Sequence, residues 1–241
     1  MITSGKKITQ DDKFSTITEY NICDDEELDK VIHNLQSSHF TNLQVLRAKN
    51  CKARLIEFLS ILLERSYKIE VINIEQYTWS HPHFLFDTFK AYKNRDGGGD
   101  GELFTQLKEL KLTKVCSTFI SASDKPTIIN LENLQILPIK GCIFLQYVFS
   151  LYPPEKLHQL KELVIEACEA LSTVFESHVD EVSPITKFPL LNKVEFKSLP
   201  KLRQIYNGHL EFPSLQSLMI EKCPILTKFT TGFAGPLENL N

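Results

Sequence analysis

Apolar positions along this chain follow two rhythms at once. Locally they alternate: in LKELVIEAC, residues 160–168, Leu163 and Ile165 are separated and flanked by Glu162, Val164 and Glu166. Alternation over so few residues predicts a short strand with one buried face. Over a longer distance the spacing apolar-x-x-apolar-x-apolar-x-x-closing residue returns. It starts at Leu43, Ile69, Leu107, Leu134, Leu160, Leu191 and Leu215, with a weaker first copy at Ile17. The steps between successive copies are 26, 26, 38, 27, 26, 31 and 24 residues. Four copies close on cysteine (Cys51, Cys142, Cys168 and Cys223), and the others on Asp25, Tyr77, Val115 and Leu199.

A unit of about that length with this signature is a leucine-rich repeat. The expected fold is an α/β solenoid of about eight repeats. Short parallel strands line its concave side, and helical or irregular segments return along the convex side. No repeat can bury its apolar side alone, so neighbours complete the core. The residues expected there include Leu46, Ile72, Leu110, Leu137, Leu163, Ile165 and Leu218, with Cys51, Cys142, Cys168 and Cys223. Read alone, Cys168 is open to three assignments: nucleophile, metal ligand or core. Recurrence decides among them, because a small apolar thiol fits the place where the chain leaves the strand.

Departures from the period define the rest of the organisation. Residues 1–16 form an N-terminal lead, and the solenoid occupies 17–241. The 38-residue step contains Phe84, Phe86, Phe89 and Tyr92, read as an irregular but largely helical convex segment, then NRDGGGDGE (94–102), read as a flexible insertion. The 31-residue step carries the polar loop SHVDEVSP, 177–184. Pro138 falls inside a strand, where its missing N–H predicts a distortion. Residues 230–241 read as a truncated or capping last repeat, so either a non-standard cap covers the final strand or the chain continues.

Composition narrows the function. The net charge is −3, which gives no basic face for nucleic acid. No run of about 18 apolar residues predicts a membrane-spanning helix. The start, MITSGKKITQDDK, lacks the apolar stretch of a secretory signal. Six cysteines at 23, 51, 116, 142, 168 and 223 include no C-x-x-C pair, so neither a zinc site nor a disulfide framework is expected. A reducing, cytoplasmic setting follows, with the nucleus also open. Asp96, Asp100 and Glu102 lack the calcium-loop spacing, and His81-Pro82-His83 lacks a third ligand. No metal, cofactor or catalytic constellation is expected, which favours a binding module over an enzyme.

Candidate contacts lie on the concave face. Between the two inward residues of each strand stand Asn21, Arg47, Asn73, Lys111, Pro138, Val164, Glu195 and Met219. Two residues on stand Cys23, Lys49, Glu75, Thr113, Lys140, Glu166, Lys197 and Glu221. The last four alternate in sign and would pair across neighbouring strands. That leaves two readings, a self-neutralised surface ladder or a charged strip for a protein partner. Its candidate residues are Arg47, Lys49, Asn73, Glu75, Lys111, Lys140, Glu166, Glu195, Lys197 and Glu221, with Arg47, Lys49 and Lys111 the most basic part.

The C-terminal half carries a more specific likeness. FPLLNKVEFKSLPKLRQIYNG (188–208), FPSLQSLMIEKCPILTKF (212–229) and LKELVIEACEALSTVFE (160–176) resemble repeats of plant intracellular disease resistance receptors of the coiled-coil nucleotide-binding leucine-rich-repeat class. The resemblance covers roughly residues 40 to 229. It implies pathogen sensing and autoinhibition of a nucleotide-binding switch domain. The implied partners are a pathogen effector or guarded host protein, and that switch domain where the chain is part of a longer receptor. The phosphate loop is not in this sequence, so the resemblance places no nucleotide on any residue. A second class stays open, a substrate-recruiting scaffold of a ubiquitin-ligase adaptor; it would need a docking segment longer than the first 16 residues.

Overall fold

The computed structural model describes residues 16–35, 40–52, 55, 58, 59, 62, 68–78, 104–118, 121, 122, 130–150, 154–176, 185–206 and 208–227. The aromatic segment at 84–92, the insertion at 94–102, the loop at 177–184, most of the lead and the last repeat lie outside them.

Eight strands form one parallel sheet: β1 (Glu19–Ile22), β2 (Val45–Lys49), β3 (Val71–Glu75), β4 (Glu109–Thr113), β6 (Ile136–Lys140), β8 (Glu162–Glu166), β11 (Lys193–Lys197) and β14 (Ser217–Glu221). Spatial order follows sequence order, β1-β2-β3-β4-β6-β8-β11-β14. Neighbouring copies of the motif stand opposite one another: Leu46 faces Ile72, Leu137 faces Leu163, and Val194 faces Leu218. The repeat spacing therefore is the register. A slip by one residue would turn every inward side chain to water.

Each strand is entered and left by a recurring hydrogen bond. At the entrance one carbonyl accepts two N–H groups of the next repeat, as Gln135 does from Lys161 and Glu162. At the exit the residue after the strand has positive φ: Asn50, Gln76, Lys114, Gly141, Ala167, Ser198 and Lys222 lie at 53–66°. From Asn50 to Ser198 the N–H of each bonds the last strand carbonyl of the next repeat at 2.7–3.0 Å. That turn aims the following side chain, the closing cysteine or its equivalent, back into the core.

Pro138 disturbs one side of β6 only. Pairing with β8 is complete over five residues, while pairing with β4 skips Leu110 and Lys111. An N–H is missing from the ladder on that side, and the strand otherwise keeps its form.

The return segments change character along the chain. After β1 comes a helix, α1 (Asp25–Leu35), whose Leu28, Val31 and Ile32 are buried. Asp24 caps it by accepting the Glu27 N–H at 2.8 Å, and the Glu27 carboxylate reaches back to the Cys23 N–H at 2.9 Å. This reciprocal pair satisfies donors that a helix start leaves free. After β2, Leu55, Phe58, Leu59 and Leu62 are helical and buried. From the fourth repeat on, the return runs through strands. β5 (Ser121–Ala122), β7 (Tyr147–Ser150), β9 (Thr173–Glu176) and β12 (Gln204–Tyr206) make a second parallel sheet, and β10 (Thr186–Lys187) pairs with β13 (Leu210–Glu211). The residues are Val148-Phe149, Val174-Phe175 and Ile205-Tyr206, β-branched and aromatic types that suit strands. Phe149, Phe175, Phe188 and Phe212 form a row with successive ring centroids 5.7 Å apart.

Candidate functional site

Alternation along the five-residue strands sends three columns of side chains to the open face of the sheet. Two are those read from the sequence. The third, one residue before the first inward position, holds Glu19, Val45, Val71, Glu109, Ile136, Glu162, Lys193 and Ser217. It was legible in the same period of two, extended by one residue toward the start of each strand.

On this face Arg47, Lys49, Lys111, Lys140 and Glu221 are exposed, and Asn73, Glu75, Glu166, Glu195 and Lys197 are half-buried. Arg47, Asn73 and Lys111 occupy adjacent rungs of one column. Ion pairs partition the charges. Arg47 pairs with Glu19, Lys49 with Glu75 at 3.0 Å, and Lys140 with Glu166 at 3.0 Å. The alternation expected to continue through Lys197 and Glu221 does not. Lys197 bonds Glu195 of its own strand at 2.9 Å, and Glu221 pairs with Lys222 at 3.5 Å. Glu195 outcompetes Glu166 because it lies between two cations, with Lys193 at 3.2 Å on its other side. Lys193 also reaches Glu162 of β8 at 3.8 Å. The ammonium of Lys197, then that of Lys193, holds the Glu195 carboxyl below the usual carboxylate value. The Glu195 carboxylate in turn raises Lys197.

Three groups in the N-terminal half of the face are left over. Glu109 and Lys111, both on β4, have no ion pair among the described residues. The Asn73 Oδ1 on the rung beside Lys111 has no hydrogen-bond partner among them. Further along, Ile136, Pro138 and Val164 are half-buried on adjoining rungs and make an uncharged patch between Lys111 and Glu195.

Inside the sheet Leu46, Ile72, Leu110, Leu137, Leu163 and Ile165 are buried, as are Cys51, Cys142 and Cys168; Leu218 and Cys223 on the last rung are partly buried. Each closing cysteine directs its thiol to the carbonyl two residues back: Cys51 to Lys49 at 3.3 Å, Cys142 to Lys140 at 3.7 Å, Cys168 to Glu166 and Cys223 to Glu221 at 3.5 Å. Burial pushes the Cys51 thiol up to about 12 and raises that of Cys223. The adjoining Cys142 thiol, together with burial, raises Cys168 as well. The Cys51, Cys168 and Cys223 sulfurs are therefore neutral thiols at physiological pH, and a thiol is a poor nucleophile, while the hydrogen bond with Cys168 lowers the Cys142 thiol. Among the described residues no three His, Cys, Asp or Glu side chains converge as metal ligands. His81, His83, Asp96, Asp100 and Glu102 lie outside those residues.

Comparison with known proteins agrees with this geometry. The chain matches the family model described as plant disease resistance protein RPS2-like, leucine-rich repeats, over residues 16–169 and again over 106–241. It is similar to two Arabidopsis thaliana proteins named as disease resistance proteins. At4g27220 is 29% identical over 142 residues, which cover 57% of this chain and 16% of that protein. At4g10780 is 36% identical over 74 residues, 31% of this chain and 8% of that protein. The matched stretches thus span less than a fifth of either relative. No solved structure matches the chain.

Proposed function

The chain belongs to the RPS2-like leucine-rich repeats of plant disease resistance proteins, and from that premise we propose that its sheet face senses a pathogen effector or a guarded host protein. The observation that carries this reading is the set of unspent polar groups on an otherwise self-paired face. Most charges there already have partners within the sheet, so they offer little to a ligand. Glu109, Lys111 and the Asn73 Oδ1 do not. A partner that brings a carboxylate to Lys111 and a donor to Asn73 gains contacts without breaking an internal pair. The patch of Ile136, Pro138 and Val164 offers the apolar contact that interfaces place at their centre.

In a longer receptor the same repeats would bear on a nucleotide-binding switch domain, holding it silent until a partner displaces them. Such a device needs the partner to bind one arrangement better than the other. The setting we assign is the cytoplasm, with the nucleus also open. No helix among the described residues is long and apolar enough to cross a membrane.

The test is made in leaf tissue that depends on the native gene for its response to a pathogen. Lys111→Glu with Asn73→Ala should abolish the cell-death response while protein abundance stays constant. An undiminished response would overturn the sensing role of this face. Cell death without any pathogen would assign these two residues to autoinhibition instead of sensing.

A further inference from the structure

Two shallow grooves of about 490 and 520 Å³ adjoin at the margin of the sheet where the strands end, and Lys201 lines both. In repeat register this margin is built from the two residues after each closing position: Ile143-Phe144, Glu169-Ala170, Pro200-Lys201 and Pro224-Ile225. The next residue of each turn, Leu145, Leu171, Leu202 or Leu226, packs into or against the core. Ile143, Phe144 and Ile225 instead stand 47%, 50% and 40% exposed. Three large apolar side chains held in water along one margin are a surface that gains from being covered.

Charge says what would cover it. Lys201 and Arg203 line the grooves, and neither has an ion pair among the described residues. Glu169 and Glu176 contribute one carboxylate to each groove, and Glu176 is already bonded by the Tyr147 hydroxyl. From the turn at Ile143 to the turn at Ile225 there are three rungs, about 15 Å at the usual strand separation. Roughly five extended residues span that distance.

We infer that this margin docks an extended acidic segment of a protein partner, with apolar side chains against Ile143 and Ile225 and carboxylates at Lys201 and Arg203. The site is separate from the open sheet face, so it neither requires nor excludes the sensing role proposed there. An anionic membrane fits less well. A bilayer meets protruding surfaces, whereas here the cations line grooves that also hold Glu169 and Glu176.

Random peptides displayed against the whole chain, with the Ile143→Asp/Ile225→Asp variant used for counter-selection, test the inference. Enriched peptides should carry Asp or Glu beside Leu, Ile or Phe. A representative synthetic peptide should lose about tenfold or more in affinity on Lys201→Glu/Arg203→Glu, and should weaken as salt is raised. Its affinity should be unchanged by Lys111→Glu/Asn73→Ala, which separates this site from the sheet face. All the substituted side chains on this margin are exposed, and unchanged thermal melts would verify that each variant folds. No enrichment, peptides without carboxylates, or peptides indifferent to the margin variants would overturn the inference. So would binding to phosphatidylserine vesicles that the same variants abolish.

Discussion

Cys168 meets two demands at once: it fills a buried site and sends its thiol to the Glu166 carbonyl at the end of the strand. Alanine meets the first demand in part and drops a weak donor, so Cys168→Ala should cost about 1 kcal/mol. Aspartate places an unpaired carboxylate in the core, and Cys168→Asp should cost several times more. Urea titration of the two variants checks the ordering, and equal midpoints would contradict it. A second prediction concerns Glu195, held below the usual carboxylate value by Lys197 and Lys193. A folded value below the unfolded one stabilises the fold at neutral pH, and that contribution is lost as pH falls through the folded value. Thermal melts should therefore show Glu195→Gln less stable than the parent at pH 7, by about 1 kcal/mol or less, with the gap closing as the solution is acidified. The apolar spacing at this scale is plain in the sequence. The left-handed turn before each cysteine is not, because only Gly141 among its seven residues is a glycine. Asn50, Gln76, Lys114, Ala167, Ser198 and Lys222 hold positive φ where hydrogen bonds from Asn50 through Ser198 lock the same turn to the next repeat.

At the level of elements, the strands of the main sheet follow from alternation, but the return segments do not. The spacing leaves the returns as helical or irregular segments, and α1 with its Asp24 and Glu27 cap is a helical one. In the C-terminal half the steps leave short stretches of Val-Phe, Val-Phe and Ile-Tyr, and these pair with their neighbours as strands of a second sheet. Pairing of that kind depends on residues 26 to 31 positions away, which a local reading of propensity cannot weigh. The phenylalanine row of Phe149, Phe175, Phe188 and Phe212 has the same origin. Phe175 contacts rings on both sides and is 1% exposed, so Phe175→Ala should cost about 3–5 kcal/mol. Phe175→Leu should restore more than half of that in denaturant titrations. Near-equal losses for the two would mean that ring stacking, not volume, dominates the row.

Across the whole molecule, each rung is stabilised by the rungs on either side, so the same substitution should weigh differently along the solenoid. Leu163 on β8 is 3% exposed and flanked by β6 and β11, whereas Leu218 on β14 is only partly buried, with β11 its one paired neighbour among the described residues. Leu163→Ala should cost about 2–5 kcal/mol, and Leu218→Ala less than half as much. Equal costs would show that β14 is covered in solution as fully as β8.

The sequence by itself determined the repeat, the register and the inward columns, because a period of two nested in a period near 26 leaves one way to bury the apolar side. It also showed which residues face outward in two of three columns. Only the tertiary structure decided how those outward charges are spent. Lys197 could have bonded Glu166 or Glu221 across the sheet, and it bonds Glu195 because that carboxylate sits nearer, between two ammonium groups. The Asn73 Oδ1 is left over for the same kind of reason, since Arg47 on the next rung is taken by Glu19. Such choices turn on distances of an ångström among side chains that the sheet brings together, some from the same strand and some from neighbouring ones. Spacing along the sequence carries no record of them.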